Sequence, residues 1–195
     1  MKTIPLQQIR PKLMTRTVRT SARPEEVYAL FKDVPYSALL NSSLKGDASR
    51  FSYIAIDPFL TITSRGKKTR VRSNGRSLTL EEDPFTVISR VLAAYRGKIR
   101  PSGPFTAGGI GYFSYDLKNI LEDLPRNAVD DLRLPETVFS LHKTLMTFDE
   151  RSPGKIKISC LVLGEDTEEK VKKHLSSLAG LVSSARNIPA SHPPR

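Results

Sequence analysis

Val138-Phe139-Ser140-Leu141-His142-Lys143-Thr144-Leu145-Met146-Thr147-Phe148 and Lys155-Ile156-Lys157-Ile158-Ser159-Cys160-Leu161-Val162-Leu163 are two strand-like runs, joined by Glu150-Arg151-Ser152-Pro153-Gly154. The Pro-Gly pair marks a chain reversal, so the two runs predict an antiparallel hairpin. Phe51–Ile56, Leu60–Thr63 and Ile110–Tyr115 are further strand-like runs. Helical stretches are too few for the regular crossovers of a parallel sheet. The pattern therefore predicts an α+β fold of mostly antiparallel strands covered by helices.

Three helices are legible. Pro24 suits a first helical position, Glu25 and Glu26 suit the positive end of the helix dipole, and Val27, Leu30, Phe31 and Val34 fall at i, i+3, i+4 and i+7 before Pro35 stops the pattern. Asp83-Pro84 is a cap and first-turn pair, after which Ile88, Val91, Leu92 and Tyr95 line one face until Gly97. Asp166 with Glu169 resembles a capping box ahead of the stripe Val171, Leu175, Leu178 and Val182. After Ala185 the chain turns proline-rich, so 1–185 reads as one domain and 186–195 as a tail or the start of an interdomain linker.

The 195 residues are 38% hydrophobic and 26% charged, ordinary globular composition with no apolar run long enough to cross a bilayer. A soluble, cytoplasmic protein is the expectation. Asn41-Ser42-Ser43 matches a glycosylation sequon, but the chain opens without the apolar core of a secretory signal. The single cysteine, Cys160, excludes an internal disulfide and falls in the alternating run Ile156, Ile158, Cys160, Val162, where a small buried hydrophobe fits. His142, His174 and His192 lack metal-site spacing, and no metal or other cofactor is expected in this chain.

The formal charge is +11. Six basic residues and no acid occupy 1–24 (Lys2, Arg10, Lys12, Arg16, Arg19, Arg23), and six more occupy 65–76 (Arg65, Lys67, Lys68, Arg70, Arg72, Arg76). The first run faintly resembles a transit peptide, although its helical apolar face is poor. In the second, Ser73-Asn74-Gly75-Arg76 is a tight-turn signal and Val71 is the one strongly apolar residue, as in an exposed hairpin whose charges resist aggregation. No aromatic platform accompanies the charges, so base stacking lacks its parts and nucleic-acid binding is the minor reading.

No catalytic constellation stands out. Gly109, Gly111 and Ser114 do not complete a dinucleotide fingerprint, and there is neither a Walker lysine pattern nor a Gly-x-Ser-x-Gly elbow. The carboxylate clusters fall where capping and solvation account for them. What remains is a glycine cluster running into aromatics, Gly108-Gly109-Ile110-Gly111-Tyr112-Phe113-Ser114-Tyr115-Asp116-Leu117, where another backbone or a ligand approaches too closely for a Cβ. Beside it stands Leu39-Leu40-Asn41-Ser42-Ser43, a strand edge opening into a polar turn.

These two stretches, with Arg50-Phe51-Ser52, Asp57-Pro58, Leu124-Pro125 and Leu134-Pro135, resemble in order and spacing the amino-terminal domain of the chorismate-utilising synthases. These are the large subunits of aminodeoxychorismate synthase and anthranilate synthase, and the match runs from about Pro24 to Leu163. The resemblance implies sandwich-like antiparallel sheets and half of an enzyme. Chorismate, Mg2+ and the catalytic residues belong to a following domain, so no catalytic residue is carried over. It further implies packing against that catalytic domain or subunit, contact with a glutamine amidotransferase subunit, and a pocket for L-tryptophan.

On this resemblance the pocket elements are Leu40, Asn41 and Ser42, with Arg50 as the basic partner, and the packing motif is Gly108, Gly109, Gly111, Tyr112, Tyr115 and Asp116. A hydroxyl and an amide suit an amino acid's ammonium and carboxylate, and a guanidinium pairs with the carboxylate. Asn41 stands where a glutamate is common in the feedback-regulated pattern, which removes a partner for the ammonium. That departure favours aminodeoxychorismate synthase component I as the parent over anthranilate synthase. A stand-alone amino-acid-binding subunit is the alternative from another class.

Overall fold

The chain runs β1 (Ile9–Arg19), α1 (Pro24–Tyr28), β2 (Ala38–Leu40), β3 (Phe51–Arg65), β4 (Lys68–Ser73), β5 (Arg76–Glu81), α2 (Pro84–Tyr95), β6 (Gly109–Phe113), a 3-10 turn (Tyr115–Leu117), α3 (Lys118–Leu121), β7 (Thr137–Asp149), β8 (Lys155–Leu163) and α4 (Glu168–Ser183) in the computed structural model. The structure describes residues 4, 6, 9–42, 50–96, 99–100, 103–122, 130–164 and 166–185, with 9–11 as backbone only. Ser43, Gly97, Leu124-Pro125, His192 and the tail 186–195 lie outside these residues. The chain divides into two compact units, one of 1–7, 59–97 and 109–141 and the other of 8–58, 98–108 and 142–195. The long strands β3 and β7 each contribute a part to either unit.

In the unit that ends with α4, the strand order is β1-β8-β7-β3, with β2 on β3. The hairpin that the Pro-Gly reversal predicts is present: Phe148 pairs with Ile156 and Thr144 with Cys160, both antiparallel. On the far side of β8, Val18 pairs with Ile156 and Met14 with Cys160. The apolar face of these strands, with Ile54 and Ile56 of β3, packs under Val171, Leu175, Leu178 and Val182 of α4 in one core cluster. Cys160 is wholly buried there, and burial pushes its thiol pKa up, as suits a core residue. Each fully buried Ile or Val of this kind contributes about 1.5–3 kcal/mol relative to exposure. Residues 9–19, inside the acid-free stretch 1–24 that faintly resembles a transit peptide, form a strand of this unit.

In the other unit the order is β7-β3-β4-β5, with β6 on β7. Asn74 and Gly75 both take positive φ, 50° and 70°, the geometry of a tight hairpin turn, and Ser73 pairs with Arg76 across it. Along β4 the side chains alternate: Thr69, Val71 and Ser73 are buried, Lys68, Arg70 and Arg72 exposed. Val87, Ile88 and Val91 of α2 close the core over Leu60, Ile62, Val71 and Leu80. No helix among the described residues is long and apolar enough to cross a membrane.

Four local readings change. The first helix stops at Tyr28, and Phe31 and Val34 continue it only through i+3 turns (Phe31 N to Tyr28 O 2.8 Å, Val34 N to Phe31 O 3.0 Å), although Val27 and Phe31 are buried as their spacing predicts. On α2 the buried face is Val87, Ile88 and Val91, while Leu92 is exposed because its angular position lies at the edge of that stripe. The α4 cap is Thr167, whose hydroxyl accepts from Lys170 N, while Asp166 turns back to accept from Leu163 N at 3.0 Å and Lys143 Nζ at 2.8 Å. Finally, the runs before and after Asp57 are one strand. Asp57 absorbs the break with a φ of 57°, which aspartate tolerates better than most residues.

Candidate functional site

In the α4 unit, β2 lies antiparallel on β3, with Leu39 opposite Ile54 and Leu40 opposite Tyr53. Alternation turns Leu39 towards the core and leaves Leu40 exposed. Beyond β2 the polar residues fasten the hairpin. Ser42 N donates to Ser52 Oγ at 3.0 Å, Ser42 Oγ to the Phe51 carbonyl at 2.6 Å, and Ser52 Oγ to Asn41 Oδ1 at 3.1 Å. The Asn41 amide donates to Glu25 Oε1 of α1 at 2.5 Å. Asn41 and Ser42 thus form a clasp that holds α1 against the β2–β3 hairpin around the buried Ser52.

Arg50 points elsewhere. Its Nε and Nη2 donate to Asp149 Oδ1 and Oδ2 at 2.7 and 2.5 Å, the bidentate fork in which guanidinium and carboxylate planes match. The guanidinium also lies 4.6 Å from the centroid of the Phe51 ring. These hydrogen bonds, chiefly from Arg50, hold the Asp149 carboxyl below its ordinary pKa, so it is ionised at neutral pH. The pair borders a cavity of about 290 Å3 in this unit, with Phe51 and Phe105 as apolar wall, Thr17, Thr106 and Thr147 as hydroxyls, and Lys155 and Lys157 as further cations. Tyr53 meets Phe105 edge-on at 5.4 Å. Leu40, Asn41 and Ser42 are not among the lining residues: of the four positions assigned to an amino-acid ligand, Asn41 and Ser42 form the clasp, Arg50 borders the cavity and Leu40 lies exposed on β2.

The cavity's excess positive charge, hydroxyls and two rings suit a small ligand with an anionic end and a flat apolar body. Sequence reasoning missed Asp149, Phe105 and Lys157; the signal lay in the reversal at Pro153-Gly154, which brings the end of β7 beside the start of β8. The nearest approach to a triad in the described residues is Asp57, His174 and Thr144. There His174 Nε2 faces both Asp57 Oδ2 (2.9 Å) and Thr144 Oγ1 (3.3 Å), whereas a triad needs the two partners on opposite ring nitrogens. No cluster of potential metal ligands occurs among the described residues.

The glycine-aromatic element proves to be a close-packing device. A Cβ at Gly108, whose φ is 156°, would meet the Phe105 ring, and in the other unit a Cβ at Gly109 would meet the Phe139 ring. One at Gly111 would collide with the Val138 carbonyl on the paired strand. The Tyr112 hydroxyl donates to the Pro135 carbonyl at 2.8 Å. Phe113 stacks on Phe85 at 5.7 Å and lies 6.2 Å from the Phe139 ring, yet Tyr112, Phe113 and Tyr115 remain 44%, 47% and 81% exposed, and Asp116 is exposed too. Lys118 Nζ sits 4.2 Å from the Tyr115 ring centroid.

No family model matches the chain. Among curated relatives, anthranilate synthase component 1 of Acetivibrio thermocellus is 34% identical over 139 residues, 68% of this chain and 28% of that protein. Aminodeoxychorismate synthase component 1 of Escherichia coli (strain K12) is 30% identical over 151 residues, 75% of this chain and 33% of that protein. Among solved structures, anthranilate synthase component I from Streptococcus pneumoniae TIGR4 superposes with a TM-score of 0.54 at 22% identity, over 70% of this chain and 30% of that one. The chain spans about a third of the length of the curated relatives it matches. By sequence and by fold, the chain belongs to the family of anthranilate synthase component I and aminodeoxychorismate synthase component I.

Proposed function

We propose that this chain is the amino-terminal, non-catalytic domain of an aminodeoxychorismate synthase component I, the enzyme that makes 4-amino-4-deoxychorismate from chorismate and ammonia for p-aminobenzoate and folate. In this reading the chorismate site and its Mg2+ belong to a catalytic domain outside these 195 residues, and a glutamine amidotransferase subunit supplies the ammonia. The observation that carries it is the uncovered face beside β6: Tyr112, Phe113, Tyr115 and Leu121 stand 44–81% exposed on an element whose glycines are fixed by packing. Rings this exposed suit a surface that a partner covers, and relatives about three times as long are consistent with a further domain to cover it. The test is turnover of chorismate with ammonium. The chain alone is expected to be inactive, and mixing it with a separately produced catalytic domain is expected to raise that domain's rate. Turnover by the chain alone, or indifference of the catalytic domain to it, overturns the reading.

One observation favours ligand binding at the clasp as a second reading. Asn41 lacks the carboxylate of the feedback-regulated pattern, yet its amide holds Glu25 Oε1 at 2.5 Å, which returns an acid to this place. An amino acid such as L-tryptophan would then meet Glu25 and Ser42, with Arg50 as the more distant cation. Calorimetry with L-tryptophan on the chain and on Glu25→Gln checks it. Saturable heat that the substitution abolishes is the expected result, and absence of heat at millimolar tryptophan leaves the clasp a purely structural device.

A further inference from the structure

We propose that the outer face of the β3–β4–β5 sheet carries a site for a small oxyanion, a phosphate group or a clustered carboxylate, gripped by Arg70 and Arg133. Strand register sets the frame. Thr63, Arg70 and Thr79 stand in one row across the three strands, and Arg65, Lys68 and Glu81 in the next row on the same face. The segment 130–136 is tied to this end of the sheet. Arg65 pairs with Asp130, Glu136 N donates to the Ser64 carbonyl at 2.9 Å, and Gly66 N donates to Glu136 Oε2 at 2.7 Å. Between segment and sheet lies a cleft of about 200 Å3, lined by four cations and no carboxylate, with Leu134 and Pro135 as its apolar side.

The charges in that cleft are not equivalent. Arg65 is answered by Asp130, whereas Lys68, Arg70 and Arg133 have no acid within ion-pair distance among the described residues; Glu81 stands across from Lys68 in register, and Arg70 and Arg133 lack even that. Two unanswered guanidiniums beside one small cleft repel each other, and an anion between them removes the repulsion. Thr63 and Thr79 flank Arg70 and add hydroxyl donors, which an oxyanion accepts and a halide uses poorly. Arg133 is held in place at a cost: its φ is 49°, a left-handed value, and its N–H is pinned to Asp130 Oδ1 at 2.9 Å. The cleft size and the lack of a stacking ring on its walls point to a small ligand, not a nucleic-acid strand. The site lies in the opposite unit from the clasp and the Arg50 cavity, and it does not depend on the assignment above.

The experiment is thermal melting and calorimetry of the full chain with inorganic phosphate, pyrophosphate and citrate, each against sodium chloride at matched ionic strength. Saturable binding of phosphate species or of citrate is expected, and the arm that responds identifies the oxyanion. Arg70→Gln and Arg133→Gln are each expected to weaken it about tenfold, the loss of one charged bidentate contact. Arg72→Gln, on the same exposed face but outside the cleft, is expected to leave it unchanged, and unaltered melting of all three variants without anion shows that they fold. The proposal is overturned by binding no stronger than that of chloride. It is equally overturned by equal weakening in all three variants, or by a single-stranded oligonucleotide that binds far more tightly than pyrophosphate with a steep salt dependence.

Discussion

The β2–β3 clasp and the β6 element are the two stretches that set this sequence apart, and they are finished in opposite ways. At the clasp, Asn41, Ser42, Ser52 and Glu25 answer one another, so the polar groups are satisfied within the fold. At β6 the glycines are satisfied by β7, while Tyr112, Phe113 and Tyr115 stay about half or more exposed, Phe113 with one side stacked on Phe85. A polar group without a partner is costly, so a turn rich in Asn and Ser closes upon itself; an apolar ring in water costs less and awaits a partner. The contrast makes β6 the proposed interface and the clasp first of all a structural joint.

The glycine side of this contrast predicts the largest effect. Gly111→Ala puts a methyl group against the Val138 carbonyl and the Phe139 backbone, neither of which has room to yield. A loss of about 3 kcal/mol is expected, at the upper end of overpacking costs, measured by urea unfolding. Gly66→Ala is the control: its φ is 54° but nothing lies within reach of a Cβ, so only backbone strain of about 1 kcal/mol is expected. Equal losses in the two variants would mean that conformation, not close approach, fixes Gly111.

On the clasp side, Ser52→Ala strips the Ser42 amide of its acceptor and Asn41 Oδ1 of its donor at a site only 1% exposed. About 1–2 kcal/mol of destabilisation is expected from the groups left unpaired. A loss indistinguishable from zero would show that water enters and takes over both bonds, and the joint would then be open to a ligand.

The same unit supplies a pH test. Burial raises the Asp57 carboxyl pKa, but hydrogen bonds from His174 and Thr144 and the neighbouring positive charge outweigh it, so the net displacement is downward. A carboxyl with a lower pKa folded than unfolded stabilises fully above the unfolded value, about 3.9, and loses that contribution as pH falls through the folded value. With the group about a third exposed, roughly 1 kcal/mol is at stake. Asp57→Asn is expected to flatten the fall in urea midpoint between neutral pH and the acid range, and an unchanged slope would remove Asp57 from the account.

The frame of this fold was legible because its signals are local. Pro153-Gly154 gave the β7–β8 hairpin, Ser73-Asn74-Gly75-Arg76 gave the β4–β5 turn, and the stripe from Val171 to Val182 gave the α4 face. Where neighbours decide, the reading slipped. The α4 cap moved from Asp166 to Thr167 because Lys143, 23 positions earlier, offers Asp166 a charge partner. β1 was hidden because its burial depends on β8 and α4, and its own residues alternate only weakly. At the site, residue types near Asn41 and Arg50 pointed to a ligand, yet nothing local could announce Asp149, whose meeting with Arg50 spans 99 positions.

The smallest expected effect on stability is the sharpest for the comparison. Tyr115 is 81% exposed and its ring meets Lys118 from the same turn. Tyr115→Ser is therefore expected to change the unfolding free energy by no more than about 0.5 kcal/mol, as surface substitutions do. The same substitution removes a large exposed apolar surface, so the enhancement of a separately produced catalytic domain should fall. A variant that melts early would show that Tyr115 is packed in solution, and one that assists the catalytic domain as well as the native chain would take the β6 face out of the interface.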